Sequence, residues 1–317
     1  MKVSEALEKM TDAVRLRHFS LATEKSYRLW LRSYMAAVRE YPADWVPEQK
    51  IGRFLTEEAR RGVAAGTQNQ AMNALMFFYK SVLKVPVGKI DGARARRPEH
   101  LRRALTVEET RSLLGAMEDV GGYPTRLVAL LLYGAGLRVT EPLELRRKDV
   151  DVSGRRLFIR GAKGAKDRVV ELPRTLVEAM EAQLRRARAA WRKDAAAKLP
   201  VALPGLLAAR SSRLGLSEGW AWVFPAHEPV KHPRTGERVR WRMHEVNVQR
   251  AVRAAAGKAG LLGKVTPHVL RHCYATHAHE GGAPVRNLQE AMGHTQIETT
   301  MRYLAPTAAG VRSPLDA

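Results

Sequence analysis

A fourteen-residue stretch, TPHVLRHCYATHAH from Thr266 to His279, holds four histidines, one arginine and the chain's only cysteine. Pro267 suits the first position of a helix, and Thr266 is placed to cap it. His268, Arg271 and His272 would then lie three and four residues apart on one face near the helix N-terminus. That end of a helix favours anions, because its backbone N–H groups are unpaired and the macrodipole is positive there. The spacing therefore predicts side chains that hold a phosphate.

A metal site is the main alternative for this stretch. His268 and His272 are four residues apart, as are Cys273 and His277, and histidines at this spacing can share a zinc ion. The two pairs are rotated by about 100° on a helix, so one helix cannot readily direct all four at one ion. We expect no metal, a small buried role for Cys273, and structural or surface roles for His277 and His279. Capping and core packing remain open for the histidines, His272 above all.

Three other segments carry side chains that a phosphate site needs. Arg138 follows a glycine-containing bend at the end of the apolar segment TRLVALLLYGAGLR, and Lys163 and Lys166 stand in GAKGAKD. His294 follows a glycine in GHTQIETTMRY, and Tyr303 comes nine residues later. Alone, each has an ordinary explanation, such as a basic helix end or a solvated turn lysine.

Together these side chains could cut a phosphodiester without a metal. Two arginines can each bind a phosphate through two hydrogen bonds, histidines and a lysine can move protons, and a tyrosine can attack phosphorus. A phenol has an ordinary pKa of ~10, so its attack requires nearby cations that favour the phenolate. The same cations would stabilise the charge that builds on the phosphate oxygens in the transition state.

The elements must bring these residues together, because sequence distance keeps them apart. His294 precedes a Thr295/Glu298 capping box, so Tyr303 would lie about 12 Å further along the next helix. Only the tertiary fold or an assembled complex can bring both side chains to one phosphate.

The first ninety residues are predicted to be helical. In GTQNQAMNALMFFYKSVL, Thr67 and Gln70 have the spacing of a capping box. The apolar residues that follow repeat at helical intervals and predict a core stripe: Ala71, Ala74, Leu75, Phe78 and Val82. Residues 91–104 are rich in arginine without apolar periodicity, which indicates a basic linker, either solvated or lying along a phosphate backbone.

A second domain is predicted from residue 105 to residue 317. It opens at LTVEETRSLL, where Thr106 and Glu109 form another capping box. RRLFIR and RVVELP, joined by GAKGAKD, predict a β-hairpin, and the later pattern is mostly helical. We therefore expect a mainly α protein of two domains with a small β-sheet.

The composition favours a nucleic-acid partner. The formal net charge is +22 over 317 residues, and the basic residues are spread through much of the chain. No run of 18 or more apolar residues could span a membrane, and the N-terminus lacks the features of a signal peptide. We expect a cytoplasmic, nucleoid-associated protein.

In order and spacing, Arg138, Lys163, His268-x-x-Arg271, His294 and Tyr303 resemble the active-site pattern of the tyrosine recombinases. The resemblance covers nearly the whole chain. It implies an N-terminal helical core-binding (SAM-like) domain at residues 1–90 and a catalytic domain at residues 105–317. It also implies that no cofactor is required.

The resemblance assigns a role to each residue of the set. Tyr303 would attack a backbone phosphate and form a 3′-phosphotyrosyl bond, which a 5′-hydroxyl from another strand would later reverse. Arg138 and Arg271 would hold the phosphate, and His268 and His294 would assist. Lys163 is expected to be the acid for the leaving 5′-oxygen, with Lys166 as the alternative. The family acts as a tetramer on two DNA sites.

Within that family the sequence most resembles an integron integrase. Residues 183–241, which include EGWAWVFP and HPRTGERVRWRMHEV, are similar to the insertion of those enzymes, and the tail GVRSPLDA is also similar to theirs. Integron integrases recombine folded single-stranded cassette sites with double-stranded attachment sites. Trp220 and Trp241 are therefore expected to stack on unpaired bases, although Trp241 and Arg242 stand where the family often has two histidines.

Several other functions remain open on the sequence. A phage-type or chromosome-resolving recombinase would have the same catalytic set, and a type IB topoisomerase shares much of the chemistry. A regulator that binds DNA without cutting it would have no use for Tyr303.

Overall fold

The chain folds into two compact units, Met1–Leu101 and Arg102–Ala317, each with its own apolar core. The computed structural model describes residues 1–90, 104–162, 166–204, 207, 211–261, 263, 265–293, 296 and 300–301. The architecture is mostly helical with small sheets, which confirms the predicted fold class. Within the described residues, no helix is both long enough and apolar enough to cross a membrane.

Over residues 1–90 the first unit consists of four α-helices, and the last of them continues as a π-helical turn over Phe78–Leu83. The predicted apolar stripe is confirmed, because its first four members are at most 2% exposed and Val82 packs against the same cluster. Two buried phenols, Tyr34 and Tyr79, share a hydrogen bond of 2.7 Å within this core. The helices are α1 Val3–Leu16, α2 Leu21–Ala37, α3 Pro47–Arg60 and α4 Ala65–Phe77.

The capping box predicted at Thr67 and Gln70 is wrong. Helix α4 begins two residues before Thr67, and its N-cap is Ala64, whose carbonyl accepts the N–H groups of Thr67 and Gln68 at 2.8 and 3.0 Å. The Gln68 side chain also donates to the Val63 carbonyl at 2.7 Å. Since backbone carbonyls and the Gln68 side chain satisfy polar groups at this helix start, no side-chain cap at Thr67 is needed, and the helix begins before the residues that resemble a capping box.

The second unit opens with the capping box predicted at Thr106 and Glu109. The Thr106 hydroxyl accepts the Glu109 N–H at 3.1 Å, and the Glu109 carboxylate accepts the Thr106 N–H at 2.7 Å. The buried segment that follows Thr125 is helical as predicted. The helices are α5 Val107–Gly115, α6 Thr125–Gly134, α7 Thr140–Leu143, α8 Val177–Ala196, α9 Glu245–Lys258, α10 Pro267–Glu280 and α11 Val285–Met292.

Three antiparallel strands form the sheet of this unit in the order β1-β2-β3: β1 Val150–Asp151, β2 Arg156–Ala162 and β3 Lys166–Glu171. The predicted hairpin is confirmed, but its strands extend into the segment predicted as turn, so that Lys166 begins β3. The pairing shifts between Ile159 and Ala162. Gly161 in this shift has a φ of +58° and donates its N–H to Asp167 at 2.9 Å. A glycine adopts this backbone conformation without steric cost.

The predicted insertion at residues 183–241 has a small core of its own. Its buried members include Val201, Leu203, Trp222 and Val239, and it carries a short hairpin of β4 Val230–Lys231 and β5 Arg238–Val239. Residue 183 lies inside α8, so the predicted insertion would begin within a continuous helix.

Arg146 joins this insertion to the rest of the second unit. It is 6% exposed and donates to the carbonyls of Trp220 and Ala202 at 2.8 and 2.7 Å. Its guanidinium lies 3.0 Å from the centroid of the Trp222 ring. Burial lowers the pKa of Arg146 to about 9, with Asp149 and Glu144 opposing the shift. This pKa lies above neutral pH, so the Arg146 side chain remains a cation among the carbonyls and aromatic rings that it contacts.

Candidate active site

A sharp bend between α6 and α7 places the first predicted site residue. Gly136 has a φ of +62°, and a Cβ atom there would collide with the ring of Tyr274. Only glycine combines that backbone conformation with so close an approach. The bend turns the chain from the buried end of α6 to Arg138, whose side chain is 27% exposed.

Glu141, three residues after Arg138, is the centre of the site and was not predicted. Its side chain is 6% exposed. Arg138 donates to it twice, from the backbone N–H at 2.7 Å and from Nη1 at 2.8 Å. Burial alone would raise the pKa of Glu141, but hydrogen bonds and charge from Arg168 and Arg138 outweigh it and hold the pKa below its ordinary value. Glu141 is therefore a buried anion that holds cations.

Arg271, the second predicted arginine, meets the same carboxylate from helix α10. It is 1% exposed, and its Nη1 lies 3.6 Å from Glu141 Oε2. Its two terminal nitrogens donate to the carbonyls of Gly136 at 2.7 Å and Met292 at 2.6 Å. The structure thus brings together Arg138 and Arg271, which are far apart in the sequence.

Arg168 on β3 is a third arginine in the cluster, and the sequence analysis missed it. Its side chain is 10% exposed and forms two hydrogen bonds with Glu141, at 3.0 and 2.7 Å. Its Nε donates to the carbonyl of Ala291 at 2.8 Å. The sequence offered a signal for Glu141 and none for Arg168: a carboxylate that follows an apolar helix, three residues after an arginine, requires partners once it is buried.

The three arginines bind three successive carbonyls at the end of helix α11. Arg168 bonds Ala291, Arg271 bonds Met292, and Arg138 bonds Gly293 at 3.3 Å. The carbonyls of a last helical turn lack partners within the helix and carry the negative end of its dipole. Gly293 ends the helix with a φ of +62°. Gly293, whose carbonyl accepts a hydrogen bond from Arg138, directly precedes His294 in the sequence.

His268 lies on the first turn of α10, three residues before Arg271, and its side chain is exposed. Thr266 occupies the N-cap position as predicted, but its side chain makes no capping hydrogen bond. The Thr266 backbone carbonyl instead accepts the Val269 N–H at 2.9 Å. The Thr266 hydroxyl therefore does not cap the helix, although Thr266 is its N-cap residue.

Three other residues of the histidine-rich stretch contact the rest of the fold: Cys273, His277 and His279. His277 pairs with the Tyr133 hydroxyl at 3.0 Å and the Leu105 carbonyl at 2.9 Å, and His279 lies 3.3 Å from the Ala283 carbonyl. Cys273 is buried, as predicted, and burial raises the pKa of its thiol. In the part of the chain that the structure describes, no three His, Cys, Asp or Glu side chains are grouped to hold a metal.

Lys163, His294 and Tyr303 lie outside the described residues, as does the Thr295/Glu298 capping box. Lys163 directly follows the last residue of β2, and Lys166 is the first residue of β3. Their roles remain predictions.

The two tryptophans predicted to contact DNA are half-buried in the insertion. Lys148 places its Nζ 3.2 Å from the centroid of the Trp220 ring, so one face of that ring carries an ammonium group. Trp241 packs against the insertion's core, with its ring centroid 5.2 Å from that of His232. Trp222, between them, is 7% exposed and is a core residue.

Comparison with known proteins identifies the family. Residues 103–309 match the model of the phage integrase family, and residues 6–89 match that of the phage integrase N-terminal SAM-like domain. The chain belongs to the phage integrase family of tyrosine recombinases. The recombinase therefore acts by breaking and rejoining DNA.

Two relatives agree with this assignment, and a solved structure shares the fold. The recombinase is 39% identical over 321 residues to a protein named integrase/recombinase from Escherichia coli, covering 99% of this chain and 94% of the relative. It is 30% identical to tyrosine recombinase XerA of Thermococcus onnurineus, over 98% and 94% of the two chains. Its fold matches lambda integrase, solved as a tetramer bound to a Holliday junction, with a TM-score of 0.64 at 15% identity, covering 98% and 80% of the chains.

Proposed function

We propose that this recombinase integrates and excises integron gene cassettes, using Tyr303 as the nucleophile and Arg138, Lys163, His268, Arg271 and His294 as the remaining catalytic residues. The observation that carries the site assignment is the cluster around Glu141. It joins Arg138 and Arg271, which the chain separates by 133 positions, at the carbonyls that directly precede His294.

The proposed reaction is a transesterification. The Tyr303 oxygen attacks phosphorus, the bond from phosphorus to the 5′-oxygen breaks, and the tyrosine becomes linked to the 3′-phosphate. The tyrosine loses a proton and the leaving 5′-oxygen gains one, and Lys163 on the hairpin supplies that proton. Attack by a 5′-hydroxyl of a second strand reverses each change, so no external energy source is needed. His268 and His294 hydrogen-bond the phosphate and assist proton transfer.

The arginines stabilise charge in this reaction. Arg138 presents the more exposed guanidinium, and Arg271 places a second positive charge beside the same carboxylate. Positive groups fixed in place before reaction stabilise the developing negative charge without a reorganisation cost. The chemistry needs no metal ion.

The insertion supports the cassette role. It has a small apolar cluster of its own and a basic hairpin, and it carries Trp220 and Trp241 in half-buried positions. An aromatic ring that stacks on an unpaired base contributes about 1–3 kcal/mol per base. We propose that these rings receive bases that protrude from a folded single-stranded cassette site, and that the recombinase acts as a homotetramer on paired sites in the bacterial cytoplasm.

The test is recombination of a folded single-stranded cassette site with a double-stranded attachment site. We expect recombinants from the wild type, fewer from Trp220→Ala, and near-wild-type yield from Trp220→Phe, because phenylalanine keeps a flat ring. The same three proteins are compared on two double-stranded sites. Recombination of double-stranded sites alone would refute the cassette role.

Chromosome resolution is the second candidate function, because the XerA relative matches over nearly the whole chain. This role predicts efficient exchange between two identical double-stranded sites and no effect of Trp220→Ala. The assay therefore separates the two functions by substrate.

A further inference from the structure

Arg168 connects the β2–β3 hairpin to the rest of the candidate site. It lies on β3, two residues after the first residue of that strand, Lys166, and pairs with Ile159 of β2. Its guanidinium forms a two-pronged contact with Glu141 and its Nε bonds the Ala291 carbonyl. A single side chain thus joins the strand that begins at Lys166, the buried carboxylate and the last turn of α11.

The phosphate-binding arginines have contacts that do not depend on Arg168. Arg138 keeps its two hydrogen bonds to Glu141, and Arg271 keeps those to the Gly136 and Met292 carbonyls. Loss of Arg168 removes instead the hydrogen bonds that hold β3 to Glu141 and to Ala291. Loss of Arg168 is therefore expected to displace the β2–β3 hairpin more than Arg138 and Arg271.

We infer that Arg168 is a positioning residue: it holds the β2–β3 hairpin, which carries the lysine acid, against Glu141 and the end of α11. Arg168 itself does not touch the substrate. The fork shape of the guanidinium matters, because a lysine carries a single ammonium group that cannot form the paired contact and reach Ala291 at once. This inference rests on the proposed use of a hairpin lysine as the acid.

A change of leaving group in the DNA separates a role in positioning the acid from a role in phosphate binding or nucleophilic attack. In DNA with a 5′-bridging sulfur at the cut site, the departing group is a thiolate. Its conjugate thiol has a pKa of ~8.5, so it needs no proton to leave. An ordinary 5′-oxygen leaves as an alcohol and does need one. A defect in delivering the acid is therefore corrected by the sulfur substrate, whereas a defect in phosphate binding or nucleophilic attack is not.

The experiment measures cleavage by purified full-length wild type, Arg168→Ala and Arg168→Lys on matched oxygen and sulfur substrates. We expect Arg168→Ala to slow cleavage of the oxygen substrate on the order of 100-fold, in the range of a lost general acid, and of the sulfur substrate by less than about fivefold. The cleavage rate of Arg168→Lys on the oxygen substrate should lie between those of the wild type and Arg168→Ala. The ratio of the two rates comes from one protein preparation, so a partly misfolded variant does not distort it.

Equal loss on both substrates, or no loss on either, would overturn the inference. Arg155→Ala is the matched control, since Arg155 directly precedes β2 and its partner is the exposed Glu171 of β3, at 2.8 Å. Arg138→Ala should be impaired on both substrates. Lys163→Ala and Lys166→Ala test the proposed acid separately: if Lys166→Ala alone is rescued by sulfur, the assignment of Lys163 fails while that of Arg168 stands.

Discussion

At the scale of residues, the site is organised by one carboxylate that three arginines share. Glu141 neutralises one of the three positive charges, so the cluster keeps an excess of cationic charge that a phosphate can use. The sequence pointed to Arg138 and Arg271 because their types and spacing match a known pattern. Glu141 and Arg168 were not predicted. The contact between them joins residues 27 positions apart, so no local pattern could have indicated the role of Arg168.

Replacement of Glu141 by glutamine should destabilise the protein by roughly 3 kcal/mol at pH 7, because the buried guanidinium groups of Arg168 and Arg271 and the partly exposed one of Arg138 lose their anion. The pKa of Glu141 is lowered in the folded state, so its contribution is present above the unfolded pKa of about 4.3 and decreases as pH falls below it. Urea unfolding of wild type and Glu141→Gln at pH 7 and at lower pH tests both points.

A surface carboxylate provides the control for this measurement. Glu181 is half exposed and lies 3.9 Å from Arg185, so Glu181→Gln should change the free energy of unfolding by less than about 0.5 kcal/mol. A gap between wild type and Glu141→Gln that stays the same as pH falls would contradict the ionised state of Glu141.

At the scale of elements, the sequence predicted the types of the helices and strands better than the residues at which they begin and end. The capping box at Thr106 was found because both of its hydrogen bonds are local, whereas the same pattern at Thr67 was overridden by an earlier alanine start. The hairpin was predicted, but its bulge was not, since the shift in pairing depends on how two strands meet. The bend at Gly136 was recognised as a bend, yet its reason, the ring of Tyr274, comes from a helix 138 residues away.

The bend at Gly136 should tolerate no side chain. Gly136→Ala combines a left-handed backbone, which costs about 1–2 kcal/mol, with a collision against Tyr274. Gly260→Ala is the matched control, because Gly260 has a φ of +64° and open space around its Cβ position. Thermal unfolding should show a clearly larger loss for Gly136→Ala. Equal losses would mean that the Tyr274 contact has no influence on the bend.

At the scale of the whole molecule, the distributed positive charge fits a protein that holds DNA. The chain carries 54 lysines and arginines against 32 acidic residues, and the arginine cluster of the second unit is a small part of that excess. Composition alone indicated the class of partner, because a net charge needs no fold to be read. The placement of Lys163, His294 and Tyr303 could not be read from it, nor does the described structure reach them.

DNA binding should weaken steeply as salt increases. Each phosphate contact releases counterions, so the logarithm of the binding constant should fall with the logarithm of salt concentration by about 0.9 per contact on duplex DNA. Titrations between about 50 and 200 mM salt measure this slope. A slope near zero would contradict a binding surface made by the chain's excess charge.

The most direct test of the central claim is the capture of the covalent intermediate. A nicked recombination site lets the cut strand lose its short 5′ fragment, so the protein–DNA bond cannot reverse. Wild-type protein should yield a denaturant-resistant adduct whose peptide mapping places the DNA on Tyr303. Tyr303→Phe should bind the same site with equal affinity and yield none. An adduct formed by Tyr303→Phe, or one mapped to another residue, would contradict the assigned nucleophile.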